Sequence, residues 1–175
     1  MPSSNTHVLI TRPEKTGRVL AQQLKSIGIS AWCQPLFDYQ PLSDENVTRN
    51  LIEKYPLAVV IFVSVAAVEF AHRAFNLLNW QQNTIIAVGN ATKAALSRSG
   101  INAISPELHT SEGLLTLNAL DEKNINLQDI IIVRGDGGRE HLVEQLSIRG
   151  ANIHYLESYQ KVWLPLAQNP VPEWK

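Results

Sequence analysis

The chain has 175 residues, of which 45% are hydrophobic and 18% are charged, as is typical of one globular domain or of one domain with part of another. Its formal net charge of −1 lacks the basic excess of nucleic-acid-binding and membrane-surface proteins. The only cysteine, Cys33, excludes an intrachain disulfide and a multi-cysteine metal site. No apolar run is as long as a membrane span and no signal-peptide pattern opens the sequence. We therefore expect a soluble, cytoplasmic protein that binds neither nucleic acid nor membranes.

The hydrophobic pattern predicts alternating strands and helices. The predicted strands are, in chain order, Val8–Thr11, Ala31–Phe37, Leu57–Ser64, Ile85–Val88, Asn102–Ser105, Asp129–Val133 and Asn152–Ser158. The predicted helices are Glu14–Ile27, Asp44–Lys54, Ala66–Asn76, Asn90–Ser99, Ser111–Ala119 and Arg139–Arg149. Two of the strands contain runs that are apolar without alternation, Val59–Val63 and Ile130–Val133, so both faces of these runs must be covered. The sequence therefore predicts an α/β fold with a parallel sheet flanked by helices.

Three of the predicted helices end in the same way. Each has a leucine four residues before a glycine and an apolar residue directly after it, at Gly28, Gly100 and Gly150. Glycine just past a helix end adopts the left-handed conformation at little cost. The unequal spacing of the three copies indicates a repeated helix-to-strand unit and argues against a solenoid.

The two ends of the chain differ from its middle. Residues 1–36 hold a strand, a helix and a second strand, which is too little for an independent core. Residues 37–160 hold the remaining strands and helices, and residues 161–175 contain three prolines and resemble a linker. We therefore expect a complete α/β lobe at 37–160 and only the opening piece of another at 1–36.

Polar turns follow four of the predicted strands and lead into helices. They are Thr11–Lys15, Ser64–Ala67, Gly89–Lys93 and Arg134–Arg139. Parallel strands point their carboxyl ends to one edge, where open α/β sheets bind ligands. Small residues, hydroxyl groups, arginines and unpaired helix N–H groups at that edge are suited to an anion.

Each of these signals has an ordinary structural interpretation. The turn at 134–139 lacks the third glycine of a dinucleotide fingerprint and the lysine of a P-loop, and it is compatible with a flexible turn carrying solvated arginines. Asn90 or Thr92, and likewise Ser64, could simply cap a helix and have no part in ligand binding. Ser64 shows no nucleophile elbow or paired histidine, and none of the five histidines has metal-ligand spacing. Tyr159, near the end of the last strand, would be unremarkable on its own.

Taken together in their order and spacing, the segments resemble the uroporphyrinogen-III synthase family. The matching pieces span almost the whole chain and are Val8–Pro13, Ile61–Ser64 with Ala67 and Val68, Val88–Thr92, Ser111–Leu114, Arg139 with Leu142, Leu146 and Gly150, and Tyr159 with Gln160. Val63 departs from the threonine that many relatives carry, and Ala66 departs from a polar residue that some relatives have. The resemblance implies two α/β lobes, of which 37–160 would be the second and 1–36 part of the first. Most of the first lobe would then lie beyond residue 175, which leaves the activity of the chain alone open.

The resemblance implies a reaction as well as a fold. The family closes the linear tetrapyrrole hydroxymethylbilane into uroporphyrinogen III, inverting the last pyrrole and losing water, without a cofactor or a metal. Tyr159 would be the catalytic acid, since a phenol is protonated at neutral pH and can donate its proton. The substrate carries a carboxylate on every side chain, and the resemblance and the polar turns together imply that it is bound by Arg12, Ser64, Gly89, Asn90, Thr92, Ser111, Arg134 and Arg139.

Two other functions are compatible with the residues. The glycine-rich turn would serve equally well in a non-catalytic module that binds an anion or a nucleotide. Alternatively, the incomplete first lobe could mediate self-association in an interaction domain.

Overall fold

The computed structural model describes residues 7–80, 83–138 and 140–166. The chain forms two compact units, one of residues 1–40 with 161–175 and one of residues 41–160. The helices and strands, in chain order, are β1 (His7–Ile10), α1 (Glu14–Ser26), β2 (Ser30–Cys33), β3 (Phe37–Pro41), α2 (Glu45–Lys54), β4 (Val59–Phe62), α3 (Val65–Ala74), β5 (Ile85–Ala87), α4 (Asn90–Arg98), α5 (Ser111–Leu114), α6 (Glu122–Ile125), β6 (Asp129–Gly135), α7 (His141–Ile148) and β7 (Asn152–Trp163).

The first unit contains a small parallel sheet. β1 pairs with β2 in parallel, and α1 forms the connection between them. Among its described residues, Ile10, Ala21 and Ala31 form the buried cluster. Gly17 of α1 allows the helix to lie close to β2, because a methyl group there would overlap the Cys33 sulfur. This unit therefore buries few apolar groups in the part of the chain that the structure describes.

The second unit is built on a larger sheet. Among the described residues of this unit the strands lie in the order β7-β6-β4-β5, and all four are parallel to one another. Val59–Phe62 pairs with Ile130–Val133, the two unalternated runs. This pairing confirms the predicted parallel sheet.

Helices cover both faces of this sheet. One face, which we call the α3 face, packs side chains such as Val60, Phe62 and Val133 against α2, α3 and α4. The other, the α7 face, packs Ile61 and Ile132 with side chains of α5, α6 and α7. The apolar residues Val60–Phe62 and Ile130–Val133 of the central strands are therefore buried, as a continuous apolar run in a parallel sheet requires.

The glycine-ended helices form as predicted. Gly28, Gly100 and Gly150 have φ values of 81°, 78° and 83°. In each case the N–H of the following residue donates to the carbonyl of the leucine in the last helical turn, at 3.0, 3.0 and 3.1 Å. These bonds satisfy carbonyls that would otherwise have no partner at the helix end.

Two predicted elements are wrong in their extent. The predicted strand Ala31–Phe37 ends at Cys33, and β3 is a separate strand that begins at Phe37. The helix predicted for Ser111–Ala119 ends at Leu114, because the Thr116 hydroxyl and N–H both donate to the Gly113 carbonyl, at 2.7 and 3.1 Å. A side chain that bonds the nearby backbone in this way competes with the helical pattern.

Two further predicted strands differ from the structure. Residues Asn102–Ser105 form only an isolated bridge, between Ile104 and Ile86. The last strand, predicted to end at Ser158, continues to Trp163. Among the described residues, no helix is long and apolar enough to cross a membrane.

Candidate active site

The carboxyl ends of three neighbouring strands lie level with one another. Phe62 of β4 is in register with Ala87 of β5 and with Val133 of β6. Ser64, Gly89 and Gly135 each follow two residues later, so they share one edge of the sheet on strands that are about 4.8 Å apart. The polar turns after these strands therefore meet at a single edge, within the second unit.

Tyr159 reaches this edge because β7 carries a bulge. Arg134 is in register with Glu157, but the next residue, Gly135, is in register with Tyr159, which leaves Ser158 as the extra residue. Alternation along β7 would place Tyr159 on the α7 face with Ile153. The extra residue turns it to the α3 face instead, where it packs with Leu156 and Val133.

The hydroxyl groups of Tyr159 and Ser64 are in contact. Tyr159 Oη lies 3.2 Å from Ser64 Oγ, and the Tyr159 ring packs against Phe70 of α3 with 5.6 Å between ring centroids. Gly135 makes room for the ring, since a methyl group there would lie 2.6 Å from two of its carbons. Tyr159 is thus held between α3 and the backbone of β6.

Ser64 has a structural role as well as this contact. It is the N-cap of α3, where its Oγ accepts from the N–H of Ala67 at 3.0 Å. The cap interpretation of Ser64 is therefore correct, and it leaves the Ser64 hydroxyl proton available for the Tyr159 oxygen. The N-terminal end of a helix carries partial positive charge, so the phenol lies beside a favourable place for negative charge.

α4 begins at the same edge without a side-chain cap among the described residues. Its N-cap is Gly89, with Asn90 exposed and Thr92 only 3% exposed in the first turn. His109 packs over Gly89, where an added methyl would lie 2.7 Å from the histidine Cβ. The N–H groups of this first turn have no intrahelical acceptor, so they can bind an oxygen ligand.

Ser111 is the first residue of α5 and is partly buried. The preceding residue, Thr110, caps the helix, and its hydroxyl accepts from the N–H of Gly113 at 3.1 Å. Because Thr110 supplies the cap, the Ser111 hydroxyl is not needed for it.

Arg134 lies on the α7 face, opposite to Tyr159. Its guanidinium is 4.0 Å from the Tyr155 ring and pairs with Glu157 at 3.3 Å and Glu140 at 3.5 Å. The Arg134 side chain is only 11% exposed. These contacts already neutralise the guanidinium charge, so a role for Arg134 in holding substrate stays a prediction. Arg139 lies outside the described residues.

Arg12 belongs to the first unit and is exposed directly before α1. The other described candidates belong to the second unit. Across the described ranges, no cluster of three or more His, Cys, Asp or Glu side chains is arranged to hold a metal ion.

Sequence reasoning missed Ser158, Gly135 and Phe70, which set the position of Tyr159. Leu156 and Tyr159 are three residues apart, so strict alternation predicts that they lie on opposite faces of the sheet. The sequence alone does not show the bulge that places both on the α3 face. Gly135 was visible only as part of a glycine-rich turn, which suggested ligand binding and flexibility rather than close packing against an aromatic ring.

Comparison with known proteins gives a consistent result. The family profile described as uroporphyrinogen-III synthase HemD matches residues 18–171. Uroporphyrinogen-III synthase of Salmonella typhimurium is 36% identical over 165 residues, covering 88% of this chain and 64% of that protein. The Proteus mirabilis protein of the same name is 30% identical over 175 residues, covering 96% and 87%, respectively. The Escherichia coli one is 31% identical over 160 residues, covering 88% and 64%.

Solved structures support the same fold. A mutant uroporphyrinogen III synthase from Thermus thermophilus superposes with a TM-score of 0.65 at 13% identity, covering 91% of this chain and 64% of that one. The Helicobacter pylori enzyme gives a TM-score of 0.56 at 13% identity, covering 94% and 65%, respectively. This chain spans 64% of the length of the Salmonella and Escherichia relatives. Because the profile matches most of the chain and the sequence relatives carry the same name, the chain belongs to the uroporphyrinogen-III synthase family.

Proposed function

We propose that the protein catalyses the cyclisation of hydroxymethylbilane to uroporphyrinogen III in haem biosynthesis, as a cofactor-free cytoplasmic lyase. The observation that carries the proposal is the contact between Tyr159 and Ser64 at the edge where α3 and α4 begin. A proton donor and a set of anion-binding groups meet there, and the reaction requires both. Family membership supplies the identity of the substrate.

Tyr159 is the proton donor in this proposal. Its hydroxyl proton passes to the terminal hydroxyl of the substrate, which leaves as water, while electrons from the adjacent pyrrole form the azafulvene. Ser64 donates to the phenol oxygen, and the N-terminus of α3 stabilises the charge that develops on it. The substituted carbon of the last ring then attacks, and the spiro intermediate reopens and closes with that ring inverted. The proton released as the ring regains aromaticity restores the phenol, so protons balance.

The first turns of α3 and α4 bind carboxylates of the substrate. Backbone N–H groups around Gly89 and Asn90 provide donors at one edge of the sheet, and in this proposal the hydroxyls of Thr92 and Ser111 add to them. Arg139 adds positive charge. Fixing these carboxylates bends the linear tetrapyrrole so that the substituted carbon of its last ring, rather than the unsubstituted one, reaches the azafulvene.

The glycine-rich turn does not favour the alternative of a nucleotide-binding module. The N–H of Asp136 donates to the Tyr159 carbonyl at 2.7 Å, so this amide is already used. The turn and its flanks also carry the carboxylates of Asp136 and Glu140, which repel a phosphate.

The proposal is tested with freshly prepared hydroxymethylbilane and the 175-residue chain, scoring the type III isomer against the type I isomer that forms spontaneously. We expect type III product from the wild type. Tyr159→Phe keeps the ring and removes the hydroxyl, and it should slow type III formation by about 10²–10⁴-fold. Tyr155→Phe, on the other face of the same strand, is the matched control and should retain the rate. A wild type that forms the type I isomer and no type III isomer would contradict the proposal. Thermal stabilisation of the protein by a nucleotide but not by a tetrapyrrole would contradict it as well.

A further inference from the structure

The bulge in β7 is held by a buried hydroxyl. Ser158 is 0% exposed, and its Oγ is within hydrogen-bonding distance of two carbonyl oxygens, that of Arg134 at 3.2 Å and that of Ala67 at 3.4 Å. The Arg134 carbonyl belongs to the strand opposite the bulge, and the Ala67 carbonyl belongs to the first turn of α3. One side chain therefore connects the irregular point of the sheet to the helix that carries Ser64.

These contacts form a closed ring of interactions. The Ser158 hydroxyl reaches the Ala67 carbonyl, the Ala67 N–H donates to Ser64 Oγ, and Ser64 Oγ contacts the hydroxyl of Tyr159, which is covalently joined to Ser158. The position of the phenol relative to the N-terminus of α3 is thus fixed at both ends of the tyrosine. The Tyr159 side chain contacts Ser64, and the Tyr159 backbone is held by the preceding residue, Ser158.

We propose that Ser158 is a positioning residue for Tyr159, and that its hydroxyl keeps the bulge which turns the phenol to the α3 face. This inference rests on the proposed function for its kinetic consequence but not for its structural one. Removing the hydroxyl leaves the carbonyls of Arg134 and Ala67 without this donor and weakens the bulge. The unbulged register, in which strict alternation places Tyr159 on the opposite face, then competes with the native one.

The structural consequence is tested by NMR on protein containing isotope-labelled tyrosine and phenylalanine. The wild type should show a nuclear Overhauser contact between the rings of Tyr159 and Phe70, whose centroids are 5.6 Å apart. Ser158→Ala should lose or weaken it. Thr48→Val is the matched control, because Thr48 is also 0% exposed and its hydroxyl donates to a carbonyl within its own helix and cap, that of Asp44 at 3.0 Å. It should lose stability and keep the ring contact.

The kinetic consequence is tested in the same variants. The free energy of one buried hydrogen bond corresponds to about a tenfold change in an equilibrium or rate constant. Ser158→Ala should therefore lower kcat by about tenfold. KM should stay within about twofold, because the carboxylate-binding groups are untouched. Ser158→Thr, which keeps the hydroxyl, should restore both the ring contact and kcat.

The two measurements separate the failure of this inference from the failure of the proposed function. An unchanged ring contact in Ser158→Ala overturns the positioning role whether or not the chain is active. A lost contact in a protein that forms no type III isomer supports the positioning role and contradicts the proposed reaction. If Ser158→Ala does not fold, Ser158→Cys keeps a side chain of similar size with a weaker donor. Its ring contact should then be weakened, and a wild-type contact would overturn the inference.

Discussion

The two faces of β7 hold one tyrosine each, and the surroundings of the two rings are opposite in character. Tyr159, on the α3 face, contacts the Ser64 hydroxyl and the Phe70 ring. Tyr155, on the α7 face, lies under the Arg134 guanidinium and donates to Glu140 at 3.5 Å. Burial and the neighbouring Glu140 raise the pKa of Tyr155. A phenol beside carboxylates gives up its proton reluctantly, whereas the N-terminus of a helix favours negative charge beside it. The comparison therefore favours Tyr159 over Tyr155 as the proton donor of the proposed reaction.

The largest effect is expected from closing the space that Gly135 leaves for Tyr159. In Gly135→Ala the new methyl would lie 2.6 Å from Cε2 and Cζ of the ring, closer than real contacts allow, so the ring must shift from its position beside Ser64. We expect type III formation to fall by about 10²–10⁴-fold, as in Tyr159→Phe. The rate of isomer formation measures this.

The control for that substitution is Gly28→Ala. Gly28 has a φ of 81° with no atom within 4 Å of the added methyl, so alanine there is strained but touches nothing. It should lower stability by about 1–2 kcal/mol and leave the rate unchanged. Equal rates for Gly135→Ala and the wild type would show that the position of the ring does not matter for catalysis.

The sequence predicts the α3 face better than it predicts the position of Tyr159 on it. The unalternated runs at Val59–Val63 and Ile130–Val133 predict a buried parallel sheet, and that part of the prediction is confirmed. These signals are strong because burial on both faces of a strand, and the end of a helix, each leave a pattern within a few consecutive residues. The Ser158 bulge depends on contacts with Arg134 and Ala67 that are distant in the chain, so no local pattern shows it.

Arg134 shows the same limit in another way. An arginine directly before a glycine-rich turn suggested a ligand-binding group, because the residue type and the turn were both suitable. Its partners Glu157 and Tyr155 lie on a different strand, and alternation on that strand could not be assigned without the register. Charge partners across a sheet are therefore harder to predict than the strands that carry them.

Ser64→Ala sharpens the comparison on the α3 face. It removes both the cap of α3 and the hydrogen bond to Tyr159, so stability should fall by about 1 kcal/mol and kcat by about tenfold. Asp44→Ala is the matched control, because Asp44 caps the equally long α2 by accepting from Val47 N–H at 2.9 Å. Urea unfolding should show similar losses for both variants, whereas the kinetics should differ. Identical kcat values for the two would leave Ser64 with a capping role alone.

Arg134→Gln tests the α7 face with a neutral side chain of similar reach. The guanidinium loses its ion pairs with Glu157 and Glu140, so stability should fall by about 1–3 kcal/mol. Because these partners occupy the guanidinium, KM for hydroxymethylbilane should stay within about twofold. A KM raised by about tenfold or more would instead show that Arg134 holds a substrate carboxylate, as its place before the turn had suggested.

The smallest effect concerns the pH dependence of stability at Tyr155. Its pKa is raised in the folded protein, first by burial and then by Glu140, whereas an unfolded tyrosine titrates at about pH 10. The folded state therefore holds this proton more tightly, and the resulting stabilisation is complete below about pH 10 and is lost as pH rises through the folded pKa. The loss should be small, because Tyr155 is 38% exposed and solvent screens the charges around it. Urea unfolding of the wild type and of Tyr155→Phe between neutral pH and pH values above 10 measures the difference, which should shift against the wild type only at the alkaline end. Parallel curves across that range would mean that the carboxylates around Tyr155 do not affect its proton, and the electrostatic contrast between the two faces of β7 would then not hold.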